Sequence, residues 1–274
     1  MPGQSAHVRP NALERSGGAL AALAIWIAGS LAVFAVLEWV TRLEIVPAAY
    51  FPYASTVASR IPELLGDPGF LGHVRATLMA WGLSLAAAVA FAVPLGIAFG
   101  SSDVLFRAMS PVVDLMRPIP SVALLPLAML VLGTGLEMKV VLVGYAMAWP
   151  ILFNTIYGIH DLDPVSVDTA RCFGLKRLAI IRHVGIPSAA PFILTGIRVS
   201  ASIGLVVLVS AELLSDSNAG IGSFIMRNSS GGGRMDTILA AAAIVGLLGL
   251  LVNVAFWVIE RWQFAWRFAG EQHL

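Results

Sequence analysis

The chain has 274 residues, of which 58% are hydrophobic and only 12% are charged, and its formal net charge is +1. About a quarter of the residues of a soluble domain are charged, so this composition favours a membrane protein over a soluble one. The near-neutral charge argues against a nucleic-acid-binding protein, which would show a basic face. Cys172 is the only cysteine, which excludes an intrachain disulfide and a cysteine-based metal cluster.

Several apolar segments are long enough to cross a bilayer, which takes about 20 mostly apolar residues. The first, residues 19–40, is longer than the roughly 7–15 apolar residues of a signal peptide, so we expect it to be retained. The sequence therefore predicts an all-α, polytopic membrane protein with about six transmembrane helices. The predicted spans are residues 19–40, 76–100, 111–132, 138–159, 189–214 and 237–259.

These spans divide the chain into a core and its flanking parts. Residues 101–110 and 215–235 are expected to be loops, and the start of the third span is expected to be kinked because Pro118, Pro120 and Pro126 lie there. Irregular backbone at that depth is tolerated only against protein or a water-filled path. The predicted parts are a cytoplasmic N-terminal tail (1–18), a first span with an extracytoplasmic segment (19–70), the core (71–262) and a cytoplasmic C-terminal tail (263–274).

Small residues recur at every fourth position in the second and fifth predicted spans. Such rows allow helix backbones to approach closely in lipid, so we expect these two spans to form rigid helix pairs. The rows are Ser84, Ala88, Ala92, Gly96 and Gly100 in the second span, and Gly196, Ser200 and Gly204 in the fifth.

Lysine and arginine are distributed unequally between the two sides of the predicted membrane. With about six spans, both termini, residues 101–110 and residues 160–185 fall on one side, and this side is the more basic. Cytoplasmic segments carry such an excess, so the sequence predicts a multi-pass protein of a bacterial-type cytoplasmic membrane with cytoplasmic termini. The residues on this side are Arg9, Arg15, Arg107, Arg171, Lys176, Arg177, Arg182, Arg261 and Arg267; on the other side are Arg42, Arg60, Arg75, Lys139, Arg227 and Arg234.

The polar interval between the fourth and fifth spans has the pattern of two short helices. Asp163 is a good N-cap and Pro164 suits the first helical position. Residues 165–173 are therefore predicted to be helical, with Gly174 ending the helix. Residues 175–184 are basic, with apolar residues at helical spacing. This pattern predicts a helix–turn–helix that lies across the cytoplasmic membrane surface.

The same interval resembles the cytoplasmic loop of ABC-importer permeases, which has a Glu-Ala-Ala…Gly…Ile-x-Leu-Pro pattern. Here the sequence reads Asp168-Thr169-Ala170, then Gly174, then Val184-Gly185-Ile186-Pro187, so Asp replaces Glu and Thr replaces the first Ala. In that family the loop forms a coupling helix that docks in a cleft of the ATP-hydrolysing subunit. The alternative is an ordinary solvated loop. The resemblance assigns ATPase coupling to Asp168, Thr169, Ala170, Arg171, Gly174, Leu175 and Pro187.

Further segments are similar to the nitrate/sulfonate/taurine subfamily of these permeases, over about residues 70–262. They are residues 116–126, 193–198, 211–214 and 219–222. The resemblance implies transport by alternating access and an assembly with a second permease copy, two ATP-binding cassette subunits and an extracytoplasmic solute-binding protein. The basic residues of the interval would then face either anionic lipid or acidic residues of a partner.

The sequence contains no Gly-x-x-x-x-Gly-Lys-Ser/Thr motif, so we do not expect this chain to hydrolyse ATP or to be an enzyme. ATP and Mg are expected in the separate ATPase subunit, and no cofactor is expected in this chain. The histidines show no metal-ligand spacing, and no catalytic constellation is visible within the spans.

A few polar residues within the spans are candidates for a translocation path. Ionisable groups in a span are functional candidates by default, and a positive charge would favour an anionic cargo. The alternative is structural: Arg117 and Arg198 would pair with neighbouring groups, and Glu212 would hold the loop that follows it. The uncharged candidates are equally compatible with ordinary helix packing. The candidates are Arg117, Ser121, Met129, Asn154, Arg198, Ser202, Ser210 and Glu212.

Two other functions are compatible with a polytopic membrane chain. An ion-coupled secondary transporter would show mid-span carboxylates and repeated halves, and neither is visible. An importer of the same kind could carry a neutral vitamin-precursor heterocycle instead of an anion. The resemblance favours a small anion such as a sulfonate, taurine or nitrate.

Overall fold

The computed structural model describes residues 31–43, 51–116, 119–215, 217, 219–230 and 234–263, together with residues 25, 28 and 29. These residues form helices and contain no strand, which confirms the predicted all-α class. The helices are α1 (residues 31–42), α2 (Ala54–Gly66), α3 (Pro68–Gly100), α4 (Asp103–Met116), α5 (Leu125–Leu132), α6 (Leu136–His160), α7 (Pro164–Cys172), α8 (Arg177–Ile180), α9 (Ile186–Leu214), α10 (Ile221–Ser230) and α11 (Met235–Gln263).

Four helices in the described part of the chain are long and apolar enough to cross a membrane, and a bent pair makes a fifth. The four are α3, α6, α11 and the continuous helical stretch Arg177–Leu214. The bent pair joins α4 to the segment Ser121–Leu132 at an angle of 79°, as expected from the prolines of the third predicted span. Of the first predicted span, residues 31–40 belong to α1 and residues 25, 28 and 29 are also helical, whereas the other positions lie outside the described residues.

Helix α6 lies between α3 and α9 and forms the centre of the core. The small-residue row of α3 faces α6: a Cβ added at Gly96 would meet Thr155 Cβ at 2.6 Å. The row of α9 packs on the opposite side, where a Cβ at Gly196 would meet Pro150 O at 2.9 Å and Ser200 Oγ donates a hydrogen bond of 2.6 Å to Met147 O. Both rows therefore serve helix packing, as predicted, and α6 is their common partner.

A second cluster lies where α2, α10 and α11 meet the start of α3. Phe70, Ile221 and Ile244 are buried in it, and the rings of Phe70 and Phe224 make an edge-to-face contact at 4.9 Å. Helix α3 starts beside this cluster because Pro68 follows Asp67, whose carboxylate accepts hydrogen bonds from the backbone N–H groups of Gly69 and Phe70.

Two segments that were predicted to be loops are helical. Residues 103–110 belong to α4, since Asp103 lies in the first helical turn, where a negative charge is favourable. Residues 221–230 form α10, because Ile221, Phe224 and Ile225 recur at helical spacing and turn inward against the second cluster. The loop prediction for residues 101–110 and 215–235 is therefore wrong over most of their described length.

Candidate coupling surface and translocation path

Helix α7 begins at the cap that the sequence predicts. Asp163 precedes Pro164, and its carboxylate accepts hydrogen bonds of 3.1 Å from the N–H groups of Val165 and Ser166. The Ser166 hydroxyl, which donates at 2.7 Å, and the N–H groups lower the pKa of the Asp163 carboxyl below its ordinary value. This cap is complete above the usual pKa of aspartate and is lost as the pH falls through the lowered value.

The end of α7 is fixed by Gly174, which has a φ of +78°. Its N–H donates to Arg171 O at 2.8 Å, and the next N–H, of Leu175, donates to Ala170 O at 3.2 Å. These two bonds are those of a Schellman motif. Glycine is favoured in this left-handed conformation because glycine has no Cβ. The chain therefore leaves α7 in one defined direction.

The predicted coupling residues lie together on and beside α7. Asp168 and Arg171 form an exposed ion pair of 2.8 Å, and Thr169 Oγ1 donates a hydrogen bond to Val165 O. Ala170 is buried, whereas Gly174 and Pro187 are exposed and Leu175 is half-buried. Pro187 lies at the start of α9, one helix away from the others. The arrangement leaves the charged side chains of α7 accessible to a partner.

Three large apolar side chains of this interval are also mostly exposed: Val165 at 71%, Phe173 at 81% and Leu178 at 78%. These three residues are absent from the coupling residues that the family resemblance assigns. The sequence does contain a signal for an apolar contact surface here, because these three large apolar residues lie in an otherwise polar segment. Exposed apolar patches mark sites of interaction with a partner.

The second helix of the interval is not a separate surface helix. Helix α8 continues through a π-helical turn, Ile181–Gly185, directly into α9. The wider π turn comes immediately before Pro187, whose missing N–H interrupts the α-helical pattern. The predicted helix over residues 175–184 is therefore the first part of the helix that forms the fifth span, and the prediction of a separate surface helix is wrong.

A groove of 710 Å³ separates this interval from the turn between α3 and α4. Asp168, Arg171 and Asp103 are among the residues that line it. Arg177 crosses it and donates a hydrogen bond to Ser101 O, at the carboxyl end of α3. The coupling candidates are thus connected to α3 as well as to α9.

The candidate path residues are not gathered at one place. Arg117 lies outside the described residues. Ser121 begins the short 3₁₀ helix Ser121–Leu124, and Met129 lines an open apolar groove of 470 Å³ with Leu214. Ser202 and Ser210 donate to carbonyl oxygens one turn back in α9, as does Asn154 in α6. Their role in a path stays a prediction.

Arg198 and Glu212 are both paired in this structure. Arg198 donates to Asn253 Oδ1 at 2.8 Å and to Glu260 at 3.1 Å, which connects α9 to α11. Glu212 is fully buried and forms an ion pair of 3.2 Å with Lys139 of α6. These contacts agree with the structural alternative that the sequence left open for both residues. Lys139 was used only to predict topology, although a lysine in an apolar helix is itself a functional candidate.

No group of three or more metal-ligating side chains occurs in the part of the chain that the structure describes. The features that organise it are helix-packing rows, a capped helix with exposed charged and apolar side chains, and paired charges at helix ends.

Residues 92–264 match the family described as "Binding-protein-dependent transport system inner membrane component". The chain belongs to this family. It is therefore a permease of a binding-protein-dependent transport system, as the resemblance predicts, and the family places it in the inner membrane. The secondary transporter alternative is not favoured.

Several relatives of this permease are named for their cargo. It is 30% identical over 239 residues to the taurine transport system permease protein TauC of Escherichia coli (strain K12), covering 85% of this chain and 86% of that protein. It is 29% identical over 187 residues to the nitrate import permease protein NrtB of Leptolyngbya laminosa, covering 68% and 66%. The putative aliphatic sulfonates transport permease protein SsuC of Escherichia coli (strain K12) is 32% identical over 160 residues, covering 58% and 60%.

The fold of the permease is similar to that of a solved importer. A chain from the inward-facing MetNI methionine ABC transporter superposes with a TM-score of 0.62, covering 71% of this chain and 97% of that chain. The identity is 18%, so this likeness concerns the fold alone.

Proposed function

We propose that this permease imports a small anion such as taurine, another sulfonate or nitrate, by ATP-driven alternating access. The observation that carries the proposal is the similarity to TauC over most of both chains, together with the nitrate and sulfonate permeases among the relatives. Two permease copies, two ATP-binding cassette subunits and an extracytoplasmic solute-binding protein form the proposed assembly. ATP and Mg bind the ATPase subunits in it.

The proposed coupling element is α7 with Gly174. Its capped start and Schellman end make it a rigid unit, and its exposed Asp168, Arg171 and Phe173 offer a charged and apolar surface. The helix that leaves this element runs without a break into α9. A displacement of α7 by the ATPase would therefore act directly on the fifth span.

The cargo is tested in proteoliposomes that contain the permease with its ATPase subunits and binding protein. We expect ATP-dependent uptake of at least one labelled anion among taurine, an alkanesulfonate and nitrate. A labelled neutral pyrimidine of the thiamine-precursor type serves as the comparison substrate. Uptake of the pyrimidine without uptake of any anion would contradict the proposed cargo class and favour the heterocycle alternative.

The proposed topology has cytoplasmic termini, so α7 is cytoplasmic and α10 is extracytoplasmic. In intact cells, a cysteine introduced by Gly232→Cys is expected to react with a membrane-impermeant thiol reagent, whereas the exposed native Cys172 reacts only after the membrane is permeabilised. Labelling of both cysteines by a permeant reagent controls for accessibility. Reaction of Cys172 from outside, with protection of the introduced cysteine, would overturn the topology.

A further inference from the structure

A buried polar network at one end of the core connects four helices. Lys139 of α6 and Glu212 of α9 form the ion pair at its centre, with side chains 5% and 0% exposed. Thr77 of α3 donates a hydrogen bond to the Glu212 carboxylate at 2.9 Å. The N–H of Gly222, in the first turn of α10, donates to the same carboxylate at 3.1 Å. One carboxylate therefore contacts side chains or backbone of α3, α6 and α10.

The network holds the start of α10 by more than this carboxylate. Lys139 Nζ donates to Ala219 O, and the Ile221 N–H donates to Thr77 Oγ1 at 2.9 Å. The Gly220 N–H donates to His73 Nδ1 of α3 at 3.2 Å. Every one of these bonds joins the residues just before or within α10 to α3 or α6. The segment is thus attached to the core at several points.

The start of α10 is also closely packed against α9 at Gly222. A Cβ added at Gly222 would meet Val209 O at 2.5 Å and Glu212 Cβ at 2.6 Å. The start of α10 therefore lies directly against the backbone of α9. Buried charges that are fully paired and hydrogen-bonded fix one geometry strongly, because removing a single partner leaves an uncompensated charge.

We infer that Lys139 and Glu212 are positioning residues that join α10 to α3, α6 and α9 as one body, so that an extracytoplasmic partner docking on α10 displaces these spans together. The inference rests on the proposed topology, which puts α10 on the side of the solute-binding protein. The far end of α10 is available for such a contact, since Met226, Arg227, Ser229 and Ser230 are exposed. The two ends of the core then have comparable elements, α7 for the ATPase and α10 for the binding protein.

The anchoring is tested by spin labels on the complete transporter in nanodiscs, in a Cys172→Ser background. Labels on Ser229→Cys of α10 and Leu83→Cys of α3 report the distance between the two helices. We expect a narrow distance distribution for the otherwise unaltered protein and a broad one for the double variant Lys139→Met/Glu212→Leu. This variant removes both charges and all carboxylate bonds to α10 while keeping similar side-chain volumes.

The charge swap Lys139→Glu/Glu212→Lys distinguishes the hydrogen bonds that hold α10 from the ion pair between α6 and α9. It keeps an ion pair, but lysine at position 212 offers no acceptor for the Gly222 N–H, since an ammonium group only donates. We therefore expect the swap to leave the distribution broad. The double variant Lys139→Met/Glu212→Gln leaves no unpaired charge and keeps an acceptor for this N–H, so its distribution should be narrower than that of Lys139→Met/Glu212→Leu. Thr77→Val changes no charged residue, so it tests the network even if the charge variants do not fold. We expect it to broaden the distance distribution partly.

Glu137→Leu is the matched control, because Glu137 is an exposed carboxylate on the same end of α6.

The rate of ATP hydrolysis tests whether docking of the binding protein on α10 is transmitted to the ATPase subunits through this network. Binding protein incubated with taurine is added, and its stimulation of ATPase activity is expected to fall by about fivefold or more in the double variant, the lower range of coupling effects. The control Glu137→Leu should leave both the basal hydrolysis and its stimulation unchanged. An unchanged distance distribution, a full rescue by the swap, or a broad distribution with normal stimulation would each overturn the inference. Absence of stimulation in the otherwise unaltered protein rejects taurine as cargo, while the spin-label result still decides the anchoring.

Discussion

Gly174→Pro is expected to abolish uptake while the permease remains in the membrane. Proline fixes φ near about −65°, whereas Gly174 has a φ of +78° and donates its N–H to Arg171 O. The substitution therefore removes the Schellman motif and redirects the chain after α7. A loss of about 1.4 kcal/mol in the docked geometry already lowers a rate or an equilibrium by tenfold. Uptake and ATPase activity are measured together, and we expect hydrolysis that no longer supports transport, or loss of ATPase binding.

Two milder substitutions at the same position serve as graded controls. No atom lies within 4 Å of a Cβ added at Gly174, so Gly174→Ala encounters only the left-handed backbone, which costs an L-residue roughly 1–2 kcal/mol. Asparagine adopts that conformation more readily, so Gly174→Asn should retain most of the uptake. An uptake that is equal in all three variants would contradict the assignment of ATPase coupling to this segment.

Gly96→Leu is expected to separate α3 from α6 and to destabilise the whole core. The first added atom would already meet Thr155 Cβ at 2.6 Å, and interdigitated helices in lipid are held by close backbone packing. Overpacking of this kind typically costs about 1–3 kcal/mol, which for a chain of this length corresponds to about 2–12 °C in the midpoint of thermal unfolding. Thermal aggregation of the detergent-solubilised complex is the measurement.

Gly82→Leu provides the control on the same helix. No atom lies within 4 Å of a Cβ added at Gly82, so a side chain can begin there without a clash, and leucine favours the helix over glycine by roughly 1 kcal/mol. Its unfolding midpoint should be equal to or above that of the unaltered protein. Equal destabilisation by both substitutions would mean that the small-residue row of α3 is not its contact surface.

The sequence predicted the elements whose signals are local. The cap at Asp163, the helix that follows it and the turn at Gly174 depend on hydrogen bonds within a few residues, and each was expected from residue type and spacing. The small-residue rows were also predicted as packing faces, because a four-residue repeat defines one side of a helix. Of these elements, the turn at Gly174 also belongs to the motif on which the family resemblance rests.

The wrong predictions concern segments whose state depends on their surroundings. Helix α10 looks like a loop because of its serines and glycines, yet Ile221 is buried in the second cluster and Phe224 is partly buried against Phe70 of α3. The helix over residues 175–184 looks like a separate amphipathic helix, yet it continues into α9 through a π turn. In both cases the neighbouring helices supply the burial or the continuity that the local pattern does not contain.

The amino-acid sequence by itself determined that this chain is an all-α membrane permease with a capped, glycine-ended helix between two spans. Composition, apolar length and short-range capping carry that information. Only the tertiary structure decided which helices are neighbours: α6 between α3 and α9, Arg198 with Glu260, and Lys139 with Glu212. The physical reason is that Lys139 and Glu212 are 73 residues apart, and their attraction, like the contact between two glycine-bearing helix faces, exists only once the helices have packed.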